Sequence, residues 1–255
     1  MAGRSRTALL RKEAREQLKT YRLWVTLALF LVFGITAPLI TKNLPNLIPK
    51  TEQFTIIMQE PTILDAASQY FSYLVQMGLL LIILLAMGSV AGERSQGVLP
   101  MVLSKPVRRR DLLASKVAVN GGMLACALVV GTAVFYGYTV LAFEYFPVSG
   151  AILSILPAAF YLWLILSVTM FWSVLAGSSL AAGGLSFLNT VIITVAPSLF
   201  AASKRYGPYY LIETGKSIAV GRTGFAEVVP ALLATGGLIA LALWAAFRLF
   251  DKRDI

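Results

Sequence analysis

The chain has 255 residues, is 58% hydrophobic and only 13% charged, and has a mean hydropathy of +0.77. A soluble domain is about half apolar and about a quarter charged, so a soluble globular protein is excluded and an all-α integral membrane protein is expected. The net charge of +10 does not point to nucleic acid, because the basic residues gather at the ends of apolar runs and form no stripe interleaved with exposed aromatics.

Residues 1–22 carry seven basic residues and two acids. Across 7–21, Leu10, Ala14, Leu18 and Tyr21 recur at helical spacing, opposite Arg11, Lys12, Arg15, Glu16 and Lys19. This is the pattern of an amphipathic helix lying on the inner leaflet of a membrane. The periodicity argues against a disordered basic tail, and the long basic region with no small-residue cleavage site argues against a cleaved signal peptide.

Residues 23–255 read as one transmembrane domain of six spans, at about 23–40, 70–91, 117–143, 151–176, 179–200 and 228–247. A bilayer core needs about 20 apolar residues per crossing. Tyr70, Phe71 and Tyr73 open the second span as an aromatic belt. Pro157 kinks the fourth span, and the uncharged turn Gly177-Ser178-Ser179 joins it to the fifth. Lys and Arg near span ends are retained on the inner face. Sixteen of the 22 fall in segments this topology places inside, which puts both termini in the cytosol of a cell-membrane protein. The exception is the outer loop 201–227, with Lys204, Arg205, Lys216 and Arg222; within it 209–220 is apolar enough for a short re-entrant or interfacial helix.

The long polar stretch 92–116 is the organising feature. It holds Arg94, Lys105, Arg108, Arg109, Arg110 and Lys116 against Glu93 and Asp111, between two apolar runs. Val98, Leu99, Val102 and Leu103 fall at helical spacing. Gly97 can serve as N-cap, Pro100 then falls in the first turn where its missing N–H costs little, and Lys105-Pro106 stops the helix. A second helix can start at Asp111. A short helix with an apolar face, held between two spans, is built to dock into a partner.

The spans as drawn contain no Asp, Glu, Lys, Arg or His. Ion-coupled transporters and voltage sensors need such groups in the membrane, so those classes are disfavoured. The chain has no histidine at all, and its single cysteine, Cys126, lies in an apolar run. His-dependent nucleophiles, His- or Cys-based metal sites and a disulfide framework are therefore excluded. Thr214-Gly215-Lys216-Ser217 ends like a phosphate-binding loop, but Tyr210 stands where that motif has its first glycine and no βαβ unit surrounds it. The polar span residues Gln76, Asn120 and Asn189 suit helix–helix hydrogen bonding, and Gly177, Ala181, Ala182 and Gly183 suit close helix packing.

The order Glu93, Arg94, Gly97, Leu99, Val102, Leu103, then Pro106, Val107, Arg108, Arg109 and Lys116, resembles the first cytosolic loop of type-2 ABC exporter permeases. The amphipathic N-terminal helix, six spans, minimal fourth-to-fifth turn and long last outer loop fit the same family. The resemblance implies a membrane subunit that dimerises with itself or with a second permease and is driven by separate ABC ATPase subunits. ATP and Mg would be held there, and no cofactor or metal in this chain. It also implies that 97–103, with Gly97, Val98, Leu99, Val102 and Leu103, form a coupling helix seated on the ATPase, braced by Glu93 and Arg94, and that Gln76 and Asn189 touch cargo at the dimer interface. The rival reading is a six-span membrane scaffold or immunity protein without transport. An intramembrane enzyme is disfavoured by the missing histidines and buried carboxylates.

Overall fold

The computed structural model describes residues 2–47, 60–103, 108–143, 145–200 and 203–252. Among the described residues 88% are helical and none lies in a strand. In chain order, α1 (Ala2–Lys19) turns into α2 (Arg22–Leu47) at Tyr21, whose φ of 59° marks a sharp change of direction. The next long helix is α3 (Ile63–Tyr73), a π turn (Leu74–Gly78) and α4 (Leu79–Ala86) in continuous succession. Two short helices follow, α5 (Ala91–Ser95) and α6 (Val98–Leu103), then α7 (Arg109–Ala142), α8 (Val148–Leu175), α9 (Ser179–Val195), α10 (Pro208–Ala219) and α11 (Val229–Lys252).

Among the described residues five helical stretches are long and apolar enough to cross a membrane: Arg22–Pro45, Ile63–Ser95, Arg109–Ala142, Val148–Leu175 and Phe225–Lys252. The stretch expected as the fifth of six spans is shorter. It is a 17-residue apolar α-helix, α9, continued by the 3₁₀ turn Ala196–Leu199.

Boundaries move for identifiable reasons. The second long helix starts at Ile63, seven residues before the expected Tyr70, because Thr62 and Asp65 form a capping box. The Thr62 amide donates to Asp65 Oδ2 at 2.8 Å, and the Asp65 amide to Thr62 Oγ1 at 3.4 Å. Tyr70 and Phe71 therefore sit a full turn or more inside the helix, and both are buried instead of forming an exposed belt. Tyr70 stacks on Phe135 with centroids 4.6 Å apart and shares a hydrogen bond with Thr132 at 3.1 Å. Likewise α7 begins at Arg109, two residues before the helix start expected at Asp111 and eight before the span expected at 117, so Asp111 and Lys116 lie inside a helix and are buried.

The bundle is closed by small residues at helix crossings. Where α2 meets α7, a Cβ on Gly34 would lie 2.6 Å from the Gly131 carbonyl oxygen, and one on Gly131 would lie 3.0 Å from that of Phe30. Such crossings let backbones approach where lipid offers no hydrophobic drive for association. Ala182 and Gly183 do the same for α9 against Met87, whereas Gly177 and Ala181 are exposed. The helix expected over 209–220 is α10. It buries Leu211, Ile212, Gly215, Ile218 and Ala219 against α3 and α8. Gly150 at the start of α8 admits its end, since a Cβ there would lie 2.6 Å from the carbonyl oxygens of Ile218 and Ala219.

Candidate functional site

The polar stretch after α4 is held to the bundle through Ser173, Arg94 and Glu93. After α4 the backbone turns through Met87–Val90 before α5, which frees main-chain groups that must find partners. Ser173 of α8 supplies them: its Oγ accepts from the Val90 amide at 3.0 Å and the Ala91 amide at 3.2 Å, and donates to the Met87 carbonyl at 2.8 Å. One turn on, the Arg94 guanidinium donates to the Val174 carbonyl at 3.0 Å and the Ala176 carbonyl at 3.2 Å. A cation thus caps the negative end of α8 and satisfies carbonyls left over by its termination. Ser173→Ala strands two buried amides and should lower stability by about 1–3 kcal/mol, read as the melting temperature in detergent. Ser95→Ala, at an exposed position, should shift it by less than about 0.5 kcal/mol.

Glu93 points the other way, into an ion-pair network. Lys116 Nζ lies 2.7 Å from Glu93 Oε1 and 3.2 Å from Glu13 Oε2. Lys12 Nζ lies 3.0 Å from Glu13 Oε1, 3.4 Å from Glu16 Oε2 and 3.6 Å from Glu93 Oε1. Lys116 and Glu13 are almost wholly buried, and each supplies the counter-charge that burial of the other requires. Partial burial acts to discharge Lys12, but Glu13, backed by Glu93 and Glu16, outweighs it and raises the Lys12 pKa above the ordinary lysine value. The three carboxylates lie within reach of a single cation. The two ammonium groups already fill that role, so the cluster reads as a salt-bridge network and not as a metal centre.

The network fixes α1. Its buried stripe is Leu9, Glu13 and Gln17, at i, i+4 and i+8. Gln17 donates to Asn120 Oδ1 of α7 at 3.1 Å, and Arg6 Nε to Asp111 Oδ1 at 2.7 Å. Asn120, a polar span residue in the sequence, thus has the helix-bonding role, and it also donates to the Lys116 carbonyl at 2.8 Å. The apolar stripe read from the sequence faces outward: Leu10 is 39%, Leu18 45% and Tyr21 70% exposed.

In α6, Gly97 immediately precedes the helix with φ 71°, a conformation that favours glycine, and its amide donates to the Arg94 carbonyl at 3.1 Å. Leu99 is fully buried and Val98 half-buried, whereas Met101 is 73% exposed. Val102 and Leu103 complete the helix. The stop expected at Lys105-Pro106 lies outside the described residues. Gln76 lies in the π turn with its side chain exposed. Asn189 of α9 lines an apolar cavity of about 250 Å³ with residues of α8 and α11, among them Val168, Phe171 and Leu241. Neither belongs to the polar network. Thr214-Gly215-Lys216-Ser217 lies within α10, with Thr214 and Gly215 buried, so it forms no phosphate-binding loop.

Residues 7–255 match the model of the ABC-2 family transporter protein. The chain belongs to the ABC-2 transporter family. It is also similar to a curated relative, the uncharacterized transmembrane protein YxlG of Bacillus subtilis (strain 168), at 29% identity over 225 residues, covering 83% of each chain. The ABC-2 family supplies membrane components of transporters, which normally work with ABC ATPase partners. Its apolar helices accord with a multi-pass membrane protein.

Proposed function

We propose that the chain is the permease subunit of an ATP-driven exporter, forming the substrate path as a dimer, with separate ATPase subunits docked on the 92–116 loop. The observation that carries this reading is the double anchorage of that loop in a chain of the ABC-2 family. Arg94 and Ser173 join it to the end of α8, and Glu93 joins it through Lys116 to α7 and through Lys12 to α1. A push on α6 is delivered to several helices at once, as a coupling element requires. ATP and Mg belong to the partner subunits.

On the positive-inside rule the basic end is cytosolic, with both termini on that side of the cell membrane. The 179–200 segment makes the sixth crossing, α10 is re-entrant, and α1 lays Leu10, Leu18 and Tyr21 into the inner leaflet. Leu99 contributes by holding α6 to the body, and Met101 presents the docking face. The Gln76 side chain has no hydrogen bond among the described residues and stands exposed on a membrane helix. An amide in hydrocarbon is costly, so it faces the path, at a π turn of the kind often found at functional sites. Apolar spans that carry no formal charge between their ends suit hydrophobic or amphipathic cargo.

The test is purification from the native membrane in mild detergent. An ATP-hydrolysing subunit should co-elute in fixed proportion to the chain. Elution without one would favour the scaffold or immunity reading.

A further inference from the structure

At the basic end of the bundle α1, α7 and α11 leave a cleft of about 320 Å³, lined by Arg6 and Leu10 on α1, Arg110, Asp111 and Ala118 on α7, and Phe247 on α11. We infer that this cleft is a binding site for one anionic phospholipid, with its phosphate held between Arg6 and Arg110 and its acyl chain along Leu10, Ala118 and Phe247.

The two guanidiniums reach the cleft from different helices. Each uses Nε on a carboxylate, Arg6 on Asp111 and Arg110 on Asp251, which fixes its orientation. Their side chains nonetheless stay 66% and 68% exposed, and their Nη groups have no partner among the described residues. Two oriented forks with free donors match a phosphate oxygen pair. The two carboxylates balance these arginines, so the surplus that selects an anion comes from Arg108, Arg248 and Lys252 near the same helix ends. Basic pockets between membrane helices favour anionic headgroups in this way.

The other wall is apolar and runs into the membrane helices: Ala118 lies more than two turns inside α7, and Phe247 more than one turn before the end of α11. A soluble phosphate would leave that wall uncovered, whereas a phospholipid covers both halves. Because α1 is tied to α7 through Arg6–Asp111, Glu13–Lys116 and Gln17–Asn120, a lipid spanning α1, α7 and α11 would also bind the amphipathic helix to the last membrane helix.

The test uses the full-length chain, delipidated in mild detergent, with phosphatidylglycerol, phosphatidylcholine or inorganic phosphate added and binding read by native mass spectrometry. Phosphatidylglycerol should bind at one site in preference to phosphatidylcholine, and inorganic phosphate at equal concentration should not displace it. Arg110→Gln, whose partner Asp251 is not deeply buried, should weaken binding about fivefold. Arg6→Lys keeps a cation beside Asp111 and should also weaken it, by loss of the fork. Arg15→Gln, outside the cleft, should leave binding unchanged, and all variants should melt normally without lipid. Equal binding of the two lipids, displacement by inorganic phosphate, or unaltered binding by Arg110→Gln would overturn the assignment. Loss of a co-eluting ATPase in Arg110→Gln with lipid binding intact would overturn it in favour of a protein contact.

Discussion

Replacing Lys116 by Met should lower stability by about 3–5 kcal/mol, the range for removing one member of a buried ion pair. The substitution leaves Glu13 and Glu93 beside one another with only Lys12, at 41% exposure, to balance them, so the lower part of that range is expected. The melting temperature in detergent should fall, and residues 1–21 should become open to protease because α1 loses its anchor. Adding Glu13→Gln to Lys116→Met should recover part of the loss, since the orphaned charge goes with it. A double-mutant cycle reads that coupling. Lys12→Met, at a half-exposed position, should cost under about 1 kcal/mol.

The second large effect is steric. Gly34→Ala sets a Cβ 2.6 Å from a backbone oxygen of α7, which cannot rotate away, so the α2–α7 crossing must open. About 1–3 kcal/mol is expected, as for overpacked cores, and more for Gly34→Leu. Gly122 and Gly137 lie on the same α7 with nothing near their missing Cβ. Gly→Ala there should be neutral or stabilising by up to about 1 kcal/mol from helix propensity alone. One substitution type in one helix pair thus gives opposite signs according to the facing atom, measured as melting temperatures of the single variants.

The membrane helices were legible because an apolar run of 18 or more residues has few other uses. Their ends were harder to read. The Thr62/Asp65 box is a visible signal that extends the second helix, and Asp111 is a visible start for the helix that runs into the third span; what charge conceals is only that Arg109 and Arg110 already belong to α7. The amphipathic pattern of α1 was visible, yet its apolar stripe is the exposed one, and the stripe that packs is Leu9, Glu13 and Gln17. An acid and an amide four residues apart in a basic helix were the available signal, and only the facing Lys116 and Asn120 give it meaning. Glu93 and Arg94 were legible as a pair beside the loop. Their division of labour was not, because it depends on Val174 and Ala176, some eighty residues away. Ser173 escaped notice because a serine in an apolar helix usually bonds its own backbone. Helical spacing and the family resemblance put Leu99 in the docking helix, but spacing does not tell which side of a six-residue helix faces the body, and Leu99 is fully buried.

The central claim is that an ATPase grips the loop at α6. The most direct measurement places a photo-crosslinker at Met101, which is 73% exposed, and another at Tyr145, which is 76% exposed beyond the opposite end of α7, in cells making the full chain. The account predicts an ATP-hydrolysing protein attached through position 101 and not through 145. Attachment of that protein through 145, or of none through 101 while transport continues, would contradict it.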